Sequence, residues 1–470
     1  MSGYISNTDA DTQEILDSIG IKSTEQLFDE IPEEVRYCGI PDNSGQTEKT
    51  ELGGIPGPMA DMQTESYIKN LAARNKSAEK LICFLGAGIY DHYIPPVVRH
   101  MISRQEFYTS YTPYQPEISQ GMLQAIFEYQ SMMCSLTGGE VCNASLYDGA
   151  SALAEAASMA CRATGRNEVA VLCSVNPEYR KVLKTYAHSG GWTVKELLPA
   201  ICSENDAIKR YEAQIDPGIA ALIIQSPDFF GYIEDIKAAA EAAHSSGALL
   251  IVTADPLSLA VLEAPGVLGA DIITGEGQAL GNPMSFGGPH FGFMTASEKL
   301  LRKMPGRIVG QTKDKNGKRC FVLTMQAREQ HIRREKATSN ICSNQALNAL
   351  AAAVYMTAAG KSGLPETAQL CYHKAVYAYN KLLETGVFKP LTDRPFFKEF
   401  ALESSIEIQK LNAVLLENGI LGGCDAGRYY MEHKNVWILA VTEKRTREEI
   451  DYLAGIISDN FGNKSGVVFP

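Results

Sequence analysis

An acid that closes an apolar run is the first residue here placed for chemistry. Leu249-Leu250-Ile251-Val252-Thr253-Ala254 ends in Asp255; a second short run, Ala270-Asp271-Ile272-Ile273, then leads into Gly275-Glu276-Gly277-Gln278-Ala279-Leu280-Gly281. Capture of an aldehyde as an imine needs a free amine, and the stretch from Ala238 to Glu298 has no lysine. A third word, Ser145-Leu146-Tyr147-Asp148-Gly149-Ala150-Ser151-Ala152, reads as a helix start whose free N–H groups suit an anion. Asp148 is a good N-cap there, but its carboxylate would satisfy those amides and repel a phosphate. In Tyr111-Thr112-Pro113-Tyr114-Gln115-Pro116 two prolines stiffen the backbone, so Tyr111, Tyr114 and Gln115 form a candidate substrate wall, or else a rigid connector with packed tyrosines. Gln326 to Asn340 is a basic, polar segment in an acidic chain, and its Arg328, Arg333, Arg334 and Lys336 could meet an acidic partner. Phe84-Leu85-Gly86-Ala87-Gly88 lacks the third glycine of a dinucleotide loop, and Pro95-Pro96 is expected to prevent a following helix. It reads instead as a turn presenting Tyr90, His92 and Tyr93. No G-x-S-x-G or H-E-x-x-H word occurs, and the eight histidines lack zinc-ligand spacing, so no metal is expected.

The elements that must position these groups follow from periodicity. Thr8 with Asp11 caps a first helix that ends at Gly20, and Ser23 with Gln26 repeats the signal. Pro41 to Pro58 reads as a connecting arm, and Ser66–Ala73 as a helix. Helices are expected over Gln120–Thr137, Asp148–Thr164, Pro177–His188 and Glu234–Ser245. Strands are expected over Glu168–Ser174, Trp192–Leu198, Ile219–Gln225, Ala248–Ala254, Asp271–Thr274 and His290–Thr295. This alternation implies an α/β fold with a mostly parallel central sheet. Ala346–Ala359 and Glu366–Glu384 read as long helices before a small α/β unit: strand Phe397–Leu402, helix Ile406–Asn418, strand Val436–Val441 and helix Arg447–Ser458. The expected division is an N-terminal helical arm over 1–80, a large domain over 81–343 and a C-terminal α/β domain over 344–470. A formal charge of −12 argues against a nucleic-acid surface. No apolar run reaches a membrane span, and no signal peptide is read. The 11 scattered cysteines have no C-x-x-C pair and fit reduced thiols in the cytoplasm.

The frame around Asp255 resembles that of pyridoxal-phosphate (PLP) enzymes of the aspartate-aminotransferase type (fold type I). In that frame the acid pairs with the pyridine nitrogen and a lysine follows the second strand, at the place of Gln278, Ala279 and Leu280. The words quoted above, with Ala254-Asp255-Pro256-Leu257, Ser285-Phe286-Gly287-Gly288-Pro289, Met304-Pro305-Gly306-Arg307-Ile308-Val309-Gly310 and Arg328 to Asn344, run nearly end to end in one order. Together they are similar to the P-protein family of the glycine cleavage system, in the form of its first (alpha) subunit, glycine dehydrogenase (decarboxylating) subunit 1. The resemblance implies that a second (beta) subunit of similar fold carries the PLP lysine, so that this chain holds no catalytic lysine of its own. It implies an α2β2 assembly that decarboxylates glycine and passes the aminomethyl group to the lipoyl arm of H-protein. By position in the family's motifs, Tyr111, Tyr114 and Gln115 would line the partner's pocket, with Tyr90, His92 and Tyr93 near it. Thr338, with Ser339 or Asn340, would approach the partner's PLP phosphate. Arg333 and Arg334 would face H-protein or the subunit interface. Two alternatives stand beside this reading: a structural or regulatory scaffold with no residue in the working site, and an autonomous PLP enzyme using Lys237 or Lys299.

Overall fold

The computed structural model describes residues 7–36, 59–198, 211 and 215–462. The expected arm Pro41 to Pro58 lies outside them. Backbone proximity divides the chain into Met1–Ser77 and Ala78–Pro470.

In the first unit the helix Asp9–Ile19 carries the expected capping box between Thr8 and Asp11, and Gly20 closes it in the left-handed region. A 3-10 turn follows at Thr24–Phe28, and the next helix, Asp61–Ala73, starts five residues earlier than the pattern suggested.

The second unit is built on a seven-stranded sheet. Its spatial order is Val141–Cys142, Gly292–Ala296, Ile272–Glu276, Leu249–Ala254, Ile219–Ser226, Glu168–Leu172, Thr193–Leu197. The last five run parallel, and Gly292–Ala296 pairs antiparallel with both of its neighbours. The central strands Glu168–Leu172, Ile219–Ser226 and Leu249–Ala254 are buried runs rich in Val, Ile, Leu and Ala, as a sheet covered on both faces requires. The helix Gly149–Thr164 packs its alanine-rich length on one face, where small side chains allow a close approach. The chain is thus α/β with a mixed, mostly parallel sheet.

The helix Ala346–Glu384 is broken at Gly360, whose φ of 64° interrupts the helical geometry, so it acts as the two helices expected. Beyond it lies a four-stranded antiparallel sheet ordered Phe388–Pro390, Glu399–Ser404, Val436–Ala440, Cys424–Asp425, with its own apolar core around Trp437. This smaller sheet docks on the larger one. Gly231 makes the contact possible: it has a φ of 91°, and a Cβ there would overlap the Glu399 carbonyl.

One expectation is corrected. Pro95-Pro96 does not block a helix: Pro96 is the first residue of the helix Pro96–Ile102, with Pro95 at the cap. A first-turn N–H has no intrahelical partner, so proline costs nothing there and pre-sets φ.

Candidate functional site

Asp255 lies just past the C-terminal end of the central strand Leu249–Ala254, where ligands bind in open α/β sheets. Both of its oxygens are taken. Oδ1 accepts from the Leu257 N–H at 2.9 Å, and Oδ2 lies 2.6 Å from Nζ of Lys398. Lys398 is 1% exposed and comes from the smaller sheet, one residue before the strand Glu399–Ser404. Its ammonium stands 3.8 Å from the centroid of the Tyr90 ring and 2.9 Å from Nε2 of His92. On the other side of the imidazole, Nδ1 meets Glu443 Oε2 at 2.7 Å. An ammonium has only donors, so Nε2 must accept and Nδ1 must carry the proton. Carboxylate, neutral imidazole, ammonium and carboxylate therefore alternate through the core. Burial, then the Lys398 charge, push the His92 pKa down. Glu443, hydrogen-bonded by His92 and by the Tyr93 N–H at 2.6 Å, is held down at about 2 against the opposing effect of its own burial. His92, Cys371 and Glu443 bring their ligand atoms within 4.8 Å of one another, but the Lys398 ammonium on Nε2 and the proton on Nδ1 leave the imidazole no free lone pair for a metal.

Gln278 begins the stretch Gln278-Ala279-Leu280, which offers no amine at the place where the resemblance puts a lysine. Its amide is fully used: Oε1 accepts from the Tyr90 N–H at 3.0 Å, and Nε2 donates to the carbonyls of Tyr90 at 3.0 Å and Asn282 at 2.8 Å. The helix start at Gly149 is closed as well. Asp148 Oδ1 accepts from the Ser151 N–H at 2.7 Å, and Glu276 Oε2 accepts from the Gly149 N–H at 3.0 Å. Burial raises the Glu276 carboxyl to about 8. Glu399, which accepts from the Ala87 N–H at 2.6 Å and the Tyr90 hydroxyl at 2.8 Å, is raised by burial to about 7.

Of these groups Tyr90, Asp255, Glu276, Lys398 and Glu399 line a cavity of about 40 Å³, room for about three waters. PLP does not fit it. The acid for its ring nitrogen is paired with Lys398, the N–H groups of the helix start that would face its phosphate are bonded to carboxyls, and the stretch Gln278-Ala279-Leu280 offers its aldehyde no amine. Lys398 is the amine that sequence reasoning missed. The signal was present as two adjacent charges inside an otherwise apolar run, Phe396-Phe397-Lys398-Glu399-Phe400-Ala401-Leu402. Lys237 and Lys299, the lysines considered in its place, are both exposed.

The other sequence-selected residues lie in three places. Tyr90 and His92 belong to this chain's own plugged pocket, and His92 has no ring nitrogen left for a second chain; Tyr93 is exposed. Tyr111 is 82% exposed and Gln115 is exposed, while Tyr114 is 41% exposed with its hydroxyl 2.8 Å from Arg307 Nη2. Thr338, Ser339 and Asn340 line a groove of about 560 Å³ together with Glu155, Arg162 and Arg334. Arg333 and Arg334 are exposed. Arg328 is not a free cation: it donates to the carbonyls of Met304 and of Gly306, the latter at 2.8 Å. His290 is structural, with Nε2 on the Met284 carbonyl at 3.0 Å.

A family model described as glycine cleavage system P-protein matches residues 2–457. The chain belongs to the glycine cleavage system P-protein family. A probable glycine dehydrogenase (decarboxylating) subunit 1 of Brevibacillus brevis is 53% identical over 452 residues, covering 96% of this chain and 97% of the relative. Another of that name, from Desulforamulus reducens, is 50% identical over 451 residues, covering 96% and 98%. Among solved structures, a glycine decarboxylase (P-protein) of the glycine cleavage system in inhibitor-bound form superposes with a TM-score of 0.84 at 41% identity, covering 97% of this chain and 99% of that one. The Burkholderia pseudomallei sphingosine-1-phosphate lyase, at 14% identity and a TM-score of 0.61, shares the fold alone, covering 88% of this chain and 93% of its own. The P-protein chain described here thus has the fold of the PLP-dependent, fold type I enzymes, with a pocket altered at each point where that cofactor would be held.

Proposed function

We propose that this chain is the subunit of glycine dehydrogenase (decarboxylating) that carries no cofactor of its own, and that it works by completing a site on a second chain. The Lys398–Asp255 pair carries the reading: the acid that would hold the coenzyme ring is bound to an amine of the same chain at 2.6 Å. The PLP lysine then belongs to the beta subunit, in an α2β2 assembly of the cytoplasm that serves lipoylated H-protein. The exposed wall Tyr111, Tyr114 and Gln115 faces the partner's glycine site. Thr338, with Ser339 or Asn340, approaches the partner's PLP phosphate, and Arg333 and Arg334 meet H-protein or the interface. Among the described residues no helix is long and apolar enough to cross a membrane.

Such a wall must recognise the carboxylate of a substrate without a side chain and keep water away while carbon dioxide leaves. Tyrosines on a proline-stiffened segment suit that task, because little entropy is lost on ordering them. Purified alone, the chain is expected to turn over no glycine, and borohydride should trap no pyridoxyl adduct on it. Adding the second subunit should restore decarboxylation. An adduct on this chain, or decarboxylation without the second subunit, would overturn the reading. A Tyr111→Ala variant that assembles normally but works poorly separates a contributor to the site from a scaffold, for which activity would follow assembly alone.

A further inference from the structure

We infer that Arg307 is the positioning residue of Tyr114, turning its phenol into a fixed hydrogen-bond donor for the carboxylate of a small amino-acid substrate. This rests on the proposed place of Tyr114 in the working site and specifies what the residue does there. Arg307 is 4% exposed, and its Nη2 donates to the Tyr114 oxygen at 2.8 Å. A guanidinium has no acceptor, so the phenol oxygen accepts and its own proton is left to point elsewhere. The side chain around it is half open to solvent, so that proton has a surface on which to meet a ligand. A buried cation behind the oxygen polarises the O–H and favours an anion in front of it.

The surroundings fix this direction. The guanidinium carbon lies 5.1 Å from the centroid of the Tyr114 ring, and the His331 ring packs edge-on against the same tyrosine at 5.9 Å. The backbone that carries Arg307 is pinned on both sides. Asn143 Nδ2 donates to the Pro305 carbonyl at 3.0 Å, the Ala144 N–H donates to the Arg307 carbonyl at 2.8 Å, and Arg328 holds the carbonyls of Met304 and Gly306. Glu329 balances the charge with Oε2 at 3.8 Å from Nε, beyond hydrogen-bond distance. The short hydrogen bond of this guanidinium is thus the one to Tyr114. A lysine could supply charge but not the planar fork that spans ring and hydroxyl together.

The test uses the enzyme reconstituted with its second subunit, with glycine and lipoylated H-protein as substrates. Arg307→Met should raise the KM for glycine by about tenfold or more, the loss of one hydrogen bond to a charged group, with a smaller effect on kcat. Tyr114→Phe should do the same, the double variant should be no worse than either single one, and Arg307→Lys should recover part of the loss. Gel filtration should show intact complexes throughout. If Tyr114→Phe impairs glycine binding while Arg307→Met matches the wild type, this inference fails and the placement of Tyr114 survives. If Tyr114→Phe is silent, the placement fails and takes the inference with it. If Arg307→Met only lowers assembly and Arg307→Lys has wild-type kinetics, the residue is structural and the inference is wrong.

Discussion

Lys398 replaces a cofactor contact with a side-chain contact. Its ammonium supplies Asp255 with the positive partner that the fold ordinarily finds on a bound ring, and it does so from the smaller sheet. Removing one member of a buried pair leaves the other charged and unsolvated, which costs more than the intact pair contributes. Lys398→Met should therefore destabilise the chain by about 3–5 kcal/mol in urea unfolding. Adding Asp255→Asn removes the orphaned charge and should return part of that loss. A double variant as unstable as the single one would show that the pair is incidental. Asp255 was legible in the sequence because it closes a strand in a recognisable frame. Lys398 was not, because its partner lies 143 positions upstream, and a charge in a strand is ordinarily an outward-facing one.

At the scale of elements, the two sheets meet where Gly231 lets the Glu399 backbone in. The same contact places Lys398 and Glu399 over the pocket. A buried Arg394 reinforces it, with Nη2 3.1 Å from Glu234 and Nη1 3.7 Å from Asp228. Gly231→Ala would combine a left-handed backbone with overlap on a carbonyl that cannot swing aside, so a loss of several kcal/mol, about 2–4, is expected in the same unfolding measurement. A variant within about 0.5 kcal/mol of wild type would mean that the sheets are not held this closely. Helix boundaries such as Gln120–Thr137 and Gly149–Thr164 were legible because glycines at 138 and 165 take left-handed caps. The helix Pro96–Ile102 was masked by a proline pair whose effect depends on which turn it occupies.

Across the whole molecule the buried acids set opposite pH limbs. Glu443 sits at about 2 against an ordinary 4.5, so its stabilisation is complete above the ordinary value and is lost as pH falls from there towards 2. Glu399 and Glu276, at about 7 and about 8, keep their protons in the folded state after the unfolded chain has released them. Stability therefore declines as pH rises from about 4.5 through 7 to 8. Glu399→Gln should flatten that upper limb, gaining about 2 kcal/mol relative to the wild type between pH 5 and pH 8. Parallel curves for variant and wild type over that range would show that Glu399 is ionised in the folded protein.

The order of apolar runs, caps and turn residues was enough by itself to specify an α/β chain, the acid at Asp255, the capped helix start at Asp148 and the missing lysine near Gln278. Each of these is a local property, read from neighbours a few positions apart. Only the tertiary structure decided what fills the pocket, where His92 points and which cation stands behind Tyr114. Those depend on pairs such as Lys398 with Asp255, His92 with Glu443 and Arg307 with Tyr114. Side chains so far apart in the sequence meet only because sheet register and the docking of one sheet on the other bring them together, and one sequence read locally carries no term for that.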